Sequence, residues 1–286
     1  MNYVFTFVCS VYLLTTTTLD AQPLPAYQLF NARGKKISYH HLIKKSLTKE
    51  IVLFGEEHNN PIAHWLQLNL TQDCGEVKPL VLGAEMVERD NQDELDAYLN
   101  GSITAKQLDS LARMWPNFKT DYAPLVNYAK KKSYPFIATN IPRRFASLVA
   151  RRGFEVLDSL PELEKTWIAP LPIEYNAELP GYKNMLTMMA GHGGPNLPKA
   201  QAIKDATMGH FILQHMKPGN LFIHYHGTYH SENYEGILWY LLKAKPQLKY
   251  LTIATVSQNN LSRLDKINLG KADVIIGVAE NMTKTY

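Results

Sequence analysis

Three ionisable side chains stand in a row directly after a short apolar run. Glu56, Glu57 and His58 follow residues 51–55, which are four apolar residues and a glycine. Carboxylate and imidazole groups are the side chains that enzymes use as general acids and bases, and both can bind transition metals. The apolar run predicts a buried strand, and open α/β sheets bind ligands at the carboxyl ends of their strands. We therefore predict that these residues form the floor of a functional cleft, the alternative being a solvated loop.

The residues that follow predict a helix whose first turn faces the same cleft. Asn60 can cap this helix, and Pro61 suits its first position because a proline there loses no helical hydrogen bond. His64 lies one turn further on and points toward the cleft. His64 is therefore a candidate cleft residue, although the same position is typical of a surface or capping histidine.

Two further apolar runs also end in polar side chains. Glu85 closes the second run, where a buried carboxylate must be paired, metal-bound or solvated. Asn140 follows the third run and can cap the next helix. Arg143, three residues later, is expected to pair with Glu56 or Glu85 and to lie in the same cleft.

A fourth apolar run leads into a cluster of three histidines. His224 and His226 share one face of the predicted strand because side chains alternate, and His230 lies beyond the next turn. Together with the carboxylates, they supply the donor groups of a transition-metal site. The alternative is a set of hydrogen-bonded cleft residues without metal, since the chain has no His-Glu-x-x-His motif. The predicted metal ligands are Glu56, His58, Glu85 and His230.

The elements that must position these residues alternate along the chain. Apolar runs predict strands over residues 51–54, 80–85, 134–139, 220–226, 250–256 and 273–278. Helical spacing predicts helices over residues 61–74, 92–100, 104–114, 123–132, 142–152, 200–216 and 231–243. This order predicts an α/β fold with a mixed, largely parallel central sheet and helices on both faces.

Residues 161–198 interrupt this alternation. They contain six of the sixteen prolines, several glycines and a methionine-rich stretch. A connection of this length inside a compact domain is typically a binding loop or a lid. We predict an inserted helical and loop lid here, within a single domain spanning residues 22–286.

The first 21 residues predict a signal peptide. Their apolar run, residues 4–14, is too short to span a bilayer and is followed by Ala21 as a cleavage position. Val8 stands before Cys9 where a lipoprotein signal requires a small residue, which argues against a lipid anchor. We expect an exported protein that is periplasmic or associated with the outer membrane. The net charge of +4 is scattered along the chain and does not indicate nucleic-acid binding.

The polar residues belong to a series of motifs whose order and spacing are specific together. The motifs are Gly55-Glu56-x-His58-x-Asn60-Pro61 with His64 and Gln67, Glu85-Met86 followed by Arg89-Asp90-x-Gln92-x-x-Leu95-Asp96, Trp115, Tyr122-x-Pro124-Leu125, Ala138-x-Asn140-x-Pro142-Arg143, Ala200-Gln201 with Asp205 and Met208, and Gly227-x-x-His230. On these motifs the chain resembles the ChaN-type haem-binding uptake proteins, relatives of Tiki proteases and erythromycin esterase-like hydrolases. The resemblance extends from about Lys49 to about Leu242, and Asn59 departs from it because aspartate is common at that position.

The resemblance implies an iron-linked role in which haem lies between two protomers of a homodimer, held by tyrosine and by lid residues. It also places Gln201 and Asp205 in the cleft with His64 and Asn140. Several lid side chains are chemically able to ligate haem iron. They are Tyr175, Tyr182, Met188, Met189 and His192.

Three functions remain open at this point. The first is an exported protein that binds haem and passes it to an uptake system in the outer membrane. The second is a hydrolase, either esterase or peptidase, in which Glu56 acts as general base, Glu85 helps to hold a divalent metal and Arg143 stabilises negative charge. The third is a partner-binding protein in which the cleft has no chemical role.

Overall fold

The computed structural model describes residues 24–188 and 194–286, with side chains up to residue 187 before the gap. Its centre is an eight-stranded sheet in the order β2-β1-β8-β7-β3-β6-β4-β5. All neighbouring strands are parallel except those that pair with β1. The strands are β1 Tyr27–Asn31, β2 Lys36–Ile37, β3 Ile51–Glu56, β4 Leu80–Glu88, β5 Phe136–Asn140, β6 Leu221–Gly227, β7 Tyr250–Gln258 and β8 Val274–Ala279.

Helices connect the parallel strands. They are α1 Tyr39–Leu47, α2 Pro61–Gly75, α3 Gln92–Leu99, α4 Ala105–Leu111, α5 Ala123–Lys132, α6 Arg143–Arg152, α7 Glu162–Lys165, α8 Pro180–Met188, α9 Leu197–His215 and α10 Ile237–Ala244. In the described part of the chain, every helix is too short or too polar to traverse a lipid bilayer.

The sheet is buried on both faces, as a parallel sheet requires. In β3, Val52 and Phe54 pack with α2, α3 and α5, whereas Ile51 and Leu53 pack with α9 and α10. Successive residues of the strand thus pack against the helix layers on opposite faces of the sheet. The predicted α/β fold, with a mixed, largely parallel sheet and helices on both faces, is confirmed.

Two parts of the predicted element order were wrong. The predicted helix over residues 231–243 begins only at Ile237, because Asn233 and Tyr234 have positive φ and Gly236 turns the chain. The elements before β3 were not predicted: β1 and β2 are short and only partly buried, and helix α1 buries only Leu42 and Ser46. In residues 161–198, the described structure consists of α7, α8, the first two residues of α9 and irregular connections.

Candidate functional site at the carboxyl edge of the sheet

The polar residues predicted to form a cleft meet where four neighbouring parallel strands end. Glu56, the last residue of β3, is paired in register with Gly227 at the end of β6. Glu85 lies in β4 where its pairing with β5 shifts register, between Ala84 and Glu88. Such irregularities re-aim side chains at the edge of a sheet. Here the Glu85 carboxylate turns to accept a hydrogen bond from the Gly227 amide at 2.8 Å.

Glu56 is the centre of the first of two hydrogen-bonded networks. His58 Nδ1 donates to Glu56 Oε1 at 2.8 Å, and the Tyr122 hydroxyl donates to the same oxygen at 2.7 Å. Gln67 Nε2 donates to Glu56 Oε2 at 2.5 Å, and His64 Nδ1 lies 3.4 Å from that oxygen. A buried carboxylate with this many donors is stabilised in its ionised form.

These contacts set the protonation behaviour of the first network. Burial would raise the pKa of Glu56, but the hydrogen bonds from His58 and His64 outweigh it and lower the pKa to about 2. Burial opposes protonation of His58 and His64, yet their contacts with Glu56 raise both of their pKa values. The network therefore holds an ionised carboxylate between imidazoles that bind protons more readily than free histidine does.

A short π-helical turn, Phe118–Tyr122, completes the first network. It directs two consecutive side chains toward the cleft: Tyr122 reaches Glu56, and Asp121 Oδ2 lies 3.4 Å from His64 Nε2. Asn117 Nδ2 donates to the same Asp121 oxygen at 2.7 Å. Turns of this kind are frequent at functional sites because they change which residues share a helix face.

The chain also returns to this network near residue 286. Thr285 Oγ1 donates to Asp121 Oδ2 at 2.8 Å, and the Thr285 amide donates to the Asn59 carbonyl at 3.0 Å. Lys284 Nζ lies 3.1 Å from Glu57 Oε2. Residues 284 and 285 thus form a strap that contacts the loop of residues 57–59 after β3.

His230 is the centre of the second network. Its Nε2 donates to Glu85 Oε1 at 3.1 Å, and its Nδ1 donates to Asp205 Oδ1 at 2.5 Å. The Tyr182 hydroxyl donates to Asp205 Oδ2 at 3.0 Å. Residues from β4, α8, α9 and the turn after β6 therefore converge on one buried imidazole.

The two carboxylates hold His230 in its charged form. Burial would lower the pKa of His230, but Glu85 and Asp205 raise it to about 9. Burial also opposes ionisation of Glu85, yet His230 holds its pKa well below the usual value. For Asp205, burial prevails and raises the pKa. The Gln201 amide lies 2.9 Å from His230 Nδ1, so the predicted cleft residues Gln201 and Asp205 both belong to this network.

The two networks meet at His58. Its Nε2 lies 4.0 Å from Glu85 Oε2, and the Trp115 ring packs edge-on against its imidazole with 4.8 Å between ring centroids. Gly227 permits this approach, because a Cβ atom at that position would lie 2.7 Å from His58 Nε2. A side chain of any size there would push the imidazole away from Glu85.

Only one of the three clustered histidines takes part in the networks. His224 and His226 are fully buried in a separate chain of hydrogen bonds. Thr139 Oγ1 lies 2.7 Å from His224 Nε2, the Nδ1 atoms of the two histidines are 3.0 Å apart, and His226 Nε2 lies 2.8 Å from Ser231 Oγ. Burial lowers the pKa of His226 to about 3 and that of His224 well below its usual value, so both are neutral.

The predicted metal ligands Glu56, His58, Glu85 and His230 lie together, but as ion pairs. His58 Nδ1 points at Glu56, and both nitrogens of His230 point at carboxylates. Within residues 24–188 and 194–286, no group of three or more His, Cys, Asp or Glu side chains has the spacing to hold a metal ion. The structure therefore does not support the predicted divalent metal.

A cavity of about 600 Å³ opens beside the junction of the networks. Its lining includes buried Glu85, half-buried His58, Trp115 and Lys204, and exposed Arg143. Arg143 was expected to pair with Glu56 or Glu85. That prediction was wrong, since Arg143 starts α6 with its side chain in solvent and forms no ion pair with the described residues.

Asn140 also differs from its prediction. It does not cap α6, because Pro142 stands at the capping position and no side-chain cap is formed. Asn140 is only 7% exposed and lines the cavity. Its Oδ1 is buried without a hydrogen-bond partner among the described residues.

Two of the candidate haem ligands, Tyr175 and Tyr182, lie in or near α8. Tyr182 is buried, and burial together with Asp205 raises its pKa. Tyr175 is half-buried, with its ring centroid 5.6 Å from that of Tyr182. Outside the described residues lie Met189, His192 and the side chain of Met188.

Sequence reasoning gave no role to several residues of the site. Asp121 and Tyr122 precede a predicted helix and carry no strand-end signal, although Tyr122 belongs to one of the motifs. Lys284 and Thr285 lie more than 220 residues from the loop that they contact, and nothing in the local sequence links them to it.

Two comparisons with solved structures support the fold. ChaN of Campylobacter jejuni, with cofacial haem bound, superposes with a TM-score of 0.65 at 18% identity, covering 87% of this chain and 96% of that one. The erythromycin esterase EreC in its open conformation gives a TM-score of 0.51 at 10% identity, covering 91% of this chain and 98% of that one. At these identities the likeness concerns the fold alone.

Comparison by sequence assigns the chain to a family. No curated protein sequence matches the chain. The model of one family, described as haem-binding uptake, Tiki superfamily, ChaN, matches residues 42–241. This range contains β3 to β6 and both hydrogen-bonded networks except the strap. The chain belongs to the ChaN family of haem-binding uptake proteins.

Proposed function

We propose that this chain is an exported protein that binds haem in the cleft, beneath the lid formed by residues 161–198, and takes part in haem and iron uptake. The observation that carries the proposal is the family match over residues 42–241. Cofacial haem binding by the structurally similar ChaN of Campylobacter jejuni supports a homodimer with haem between the protomers. An outer-membrane uptake system is the proposed source or recipient of the haem.

Titration of the purified protein, residues 22–286, with hemin tests this function. We expect a shifted Soret band that saturates at micromolar protein, together with a doubling of the mass in solution when haem is added. A hemin spectrum unchanged by the protein would overturn the proposal. Binding without a change in mass would retain haem binding and remove the dimer.

Variants of the candidate ligands identify the residue that binds iron. Tyr175→Phe, Tyr182→Phe, Met188→Ala and His192→Ala are compared with Tyr250→Phe. Tyr250 is the first residue of β7, so it lies at the amino ends of the parallel strands, whereas the cleft lies at their carboxyl ends. It is half-buried, which makes it a matched control for loss of a phenol hydroxyl. We expect one of the four variants to alter the spectrum of bound haem while the control leaves it unchanged.

Export is tested on the full chain, residues 1–286. When the chain is expressed in a Gram-negative host, we expect the mature protein in the periplasmic fraction with Gln22 as its first residue, as read by mass spectrometry. An uncleaved cytosolic product would overturn this part of the proposal and leave haem binding untouched.

A second candidate function is hydrolysis, and one arrangement favours it. Glu56 fixes His58 through Nδ1, so that Nε2 faces Glu85 beside the cavity. An imidazole oriented by a carboxylate can act as general base toward a water molecule. A panel of ester and peptide substrates tests this function with wild type and His58→Ala, and equal rates for the two proteins would exclude a role of His58.

A further inference from the structure

We propose that the amino edge of the sheet docks on an anionic lipid membrane, with Ile267 entering the lipid interface. The amino edge consists of the segments that lead into the parallel strands, and it lies opposite the cleft at their carboxyl ends. Docking of this kind would hold the protein at a membrane with the cleft facing away from it, and it does not require haem.

Lysines precede all the parallel strands of the sheet. Each of the six strands has one lysine among the four residues before it, and these are Lys49, Lys78, Lys132, Lys217, Lys249 and Lys271. Neighbouring strands lie about 4.8 Å apart, so the six strand starts extend over roughly 24 Å. The amino edge therefore carries a row of positive charge across the width of the parallel sheet.

The carboxylates in the same segments leave most of this charge uncompensated. All three of them are ion-paired with lysines: Glu50 with Lys245 at 2.7 Å, Glu76 with Lys132 at 2.9 Å and Asp273 with Lys45 at 3.8 Å. Four of the six lysines form no ion pair within the described residues, namely Lys49, Lys78, Lys217 and Lys249. Summed charge of one sign attracts a surface of the opposite sign.

An exposed apolar turn stands at one corner of the amino edge. In the 3-10 helix Lys266–Asn268, Ile267 is 83% exposed, and Leu269 just beyond it is 46% exposed. Buried Gln258 anchors the loop that leads to this turn, because its Nε2 donates to the Arg263 carbonyl at 2.7 Å. Neighbouring apolar side chains that an anchored loop holds in solvent mark an interaction surface.

The turn between β1 and β2 brings further cations to the same corner. Because β1 is antiparallel to β8, its last residue pairs with the first residue of β8 at the amino edge. The Gly270 amide donates to the Ala32 carbonyl at 2.9 Å and so joins the two turns. Arg33, Lys35 and Lys266 are exposed there and form no ion pair within the described residues.

Exposed apolar side chains among basic residues match the surface of an anionic bilayer. Lysine and arginine are attracted to its phosphate groups, while a bulky apolar side chain inserts between the head groups. Asp265 is the one carboxylate in residues 262–271, against three basic residues. A nucleic acid would use the cations but leave Ile267 in water, so a lipid surface accounts for both features.

Sedimentation with vesicles tests the docking. Haem-free protein, residues 22–286, is mixed with vesicles of phosphatidylcholine alone or of phosphatidylcholine with phosphatidylglycerol. The variants are Lys266→Glu, Lys217→Glu and Ile267→Ser. Matched controls from the cleft side are Lys119→Glu, which reverses an exposed lysine of the π-helical turn, and Leu111→Ser, which removes a leucine that is 60% exposed. Melting curves confirm that each variant is folded.

We expect wild type to sediment with the anionic vesicles but not with phosphatidylcholine alone, and added salt to release it. Lys266→Glu and Lys217→Glu should each weaken binding roughly tenfold, because one basic residue contributes about fivefold and the reversed charge adds repulsion. Ile267→Ser should weaken it roughly fivefold through lost apolar insertion. Both controls should bind like wild type.

The remaining outcomes would overturn the proposal. One is wild type that stays in solution with anionic vesicles. Another is equal weakening by Lys266→Glu and Lys119→Glu, because binding would then follow net charge rather than the amino edge. A duplex DNA that binds wild type but not Lys217→Glu, without vesicle binding, would assign the edge to nucleic acid. Hemin titration is independent of this test, so failure of haem binding would leave the docking result unchanged.

Discussion

His58 Nε2 lies 4.0 Å from Glu85 Oε2, and this contact joins two networks that are otherwise separate. On one side Glu56 accepts a hydrogen bond from His58, and on the other Glu85 accepts one from His230. A proton on His58 is therefore stabilised by two carboxylates that belong to different strands. Any ligand in the adjoining cavity meets this shared charge.

Adding a methyl group at Gly227 should break this link. In Gly227→Ala, the new Cβ would lie 2.7 Å from His58 Nε2 and 3.6 Å from Glu85 Oε2. We expect the imidazole to turn away, the pKa of His58 to fall, and the free energy of unfolding to drop by about 1–3 kcal/mol. Histidine NMR titration measures the fall in the pKa of His58. An unchanged His58 titration would show that the contact with Glu85 does not depend on Gly227.

Two buried tyrosines give a matched pair of hydroxyl deletions. The Tyr122 hydroxyl donates to Glu56, whereas the Tyr128 hydroxyl is buried without a partner among the described residues. Tyr122→Phe should lower the free energy of unfolding by about 1–3 kcal/mol, because it removes a hydrogen bond to a charged group. Tyr128→Phe should be neutral or stabilising. Urea denaturation measures both, and equal losses would contradict the assignment of Tyr122 to the network.

His230 should make stability fall on the alkaline side. Its pKa is about 9 in the folded protein against 6.5 for the free side chain, because Glu85 and Asp205 favour the charged form. The stabilisation is complete below pH 6.5 and is lost as the pH rises through 9, with an upper limit on the order of 3 kcal/mol. Urea denaturation between pH 6 and 10 measures the decline. His230→Gln should flatten it, and an equally steep decline in that variant would assign the effect to another group.

The buried histidines His224 and His226 should make stability fall on the acid side, opposite to His230. Because burial lowers the pKa of His226 to about 3, the unfolded chain binds a proton at this histidine before the folded protein does. The free energy of unfolding should therefore fall as the pH drops below 6.5.

The Thr139 hydroxyl donates to the Ala84 carbonyl at 2.9 Å, so it must accept a hydrogen bond from His224. This fixes the tautomers as Nε2–H in His224 and Nδ1–H in His226. Nitrogen NMR between pH 7 and 5 should show these tautomers without titration. Observation of the other pair of tautomers would show that the hydrogen bonds between Thr139, His224, His226 and Ser231 run in the opposite direction.

Sequence reasoning located the site well wherever a residue follows a buried strand. Glu56 and His58 follow β3, and His230 follows β6, so parallel strands bring them to one edge whatever the loops do. Glu85 required only that β4 be recognised. The fold class followed from the same alternation of apolar runs and helical spacing.

Residues whose position depends on helix geometry or tertiary contacts were beyond such reasoning. Arg143 was expected to turn inward, but the start of α6 directs it to solvent. His224 and His226 were placed on one face of β6 correctly, yet both are fully buried there and bond to Thr139, to each other and to Ser231. Asp121 and the strap at Thr285 depend on contacts between segments far apart in sequence.

The directions of the Asp121 and Tyr122 side chains depend on the exact number of residues in the π-helical turn Phe118–Tyr122. Such a turn holds one residue more than an α-helical turn of the same span. Removing a single residue there would leave α5 intact while rotating the preceding residues by about 100° relative to it. Asp121 and Tyr122 could then no longer face His64 and Glu56 together. Deletion of one residue in this turn would therefore be compatible with the packing of α5 but would disrupt the cleft.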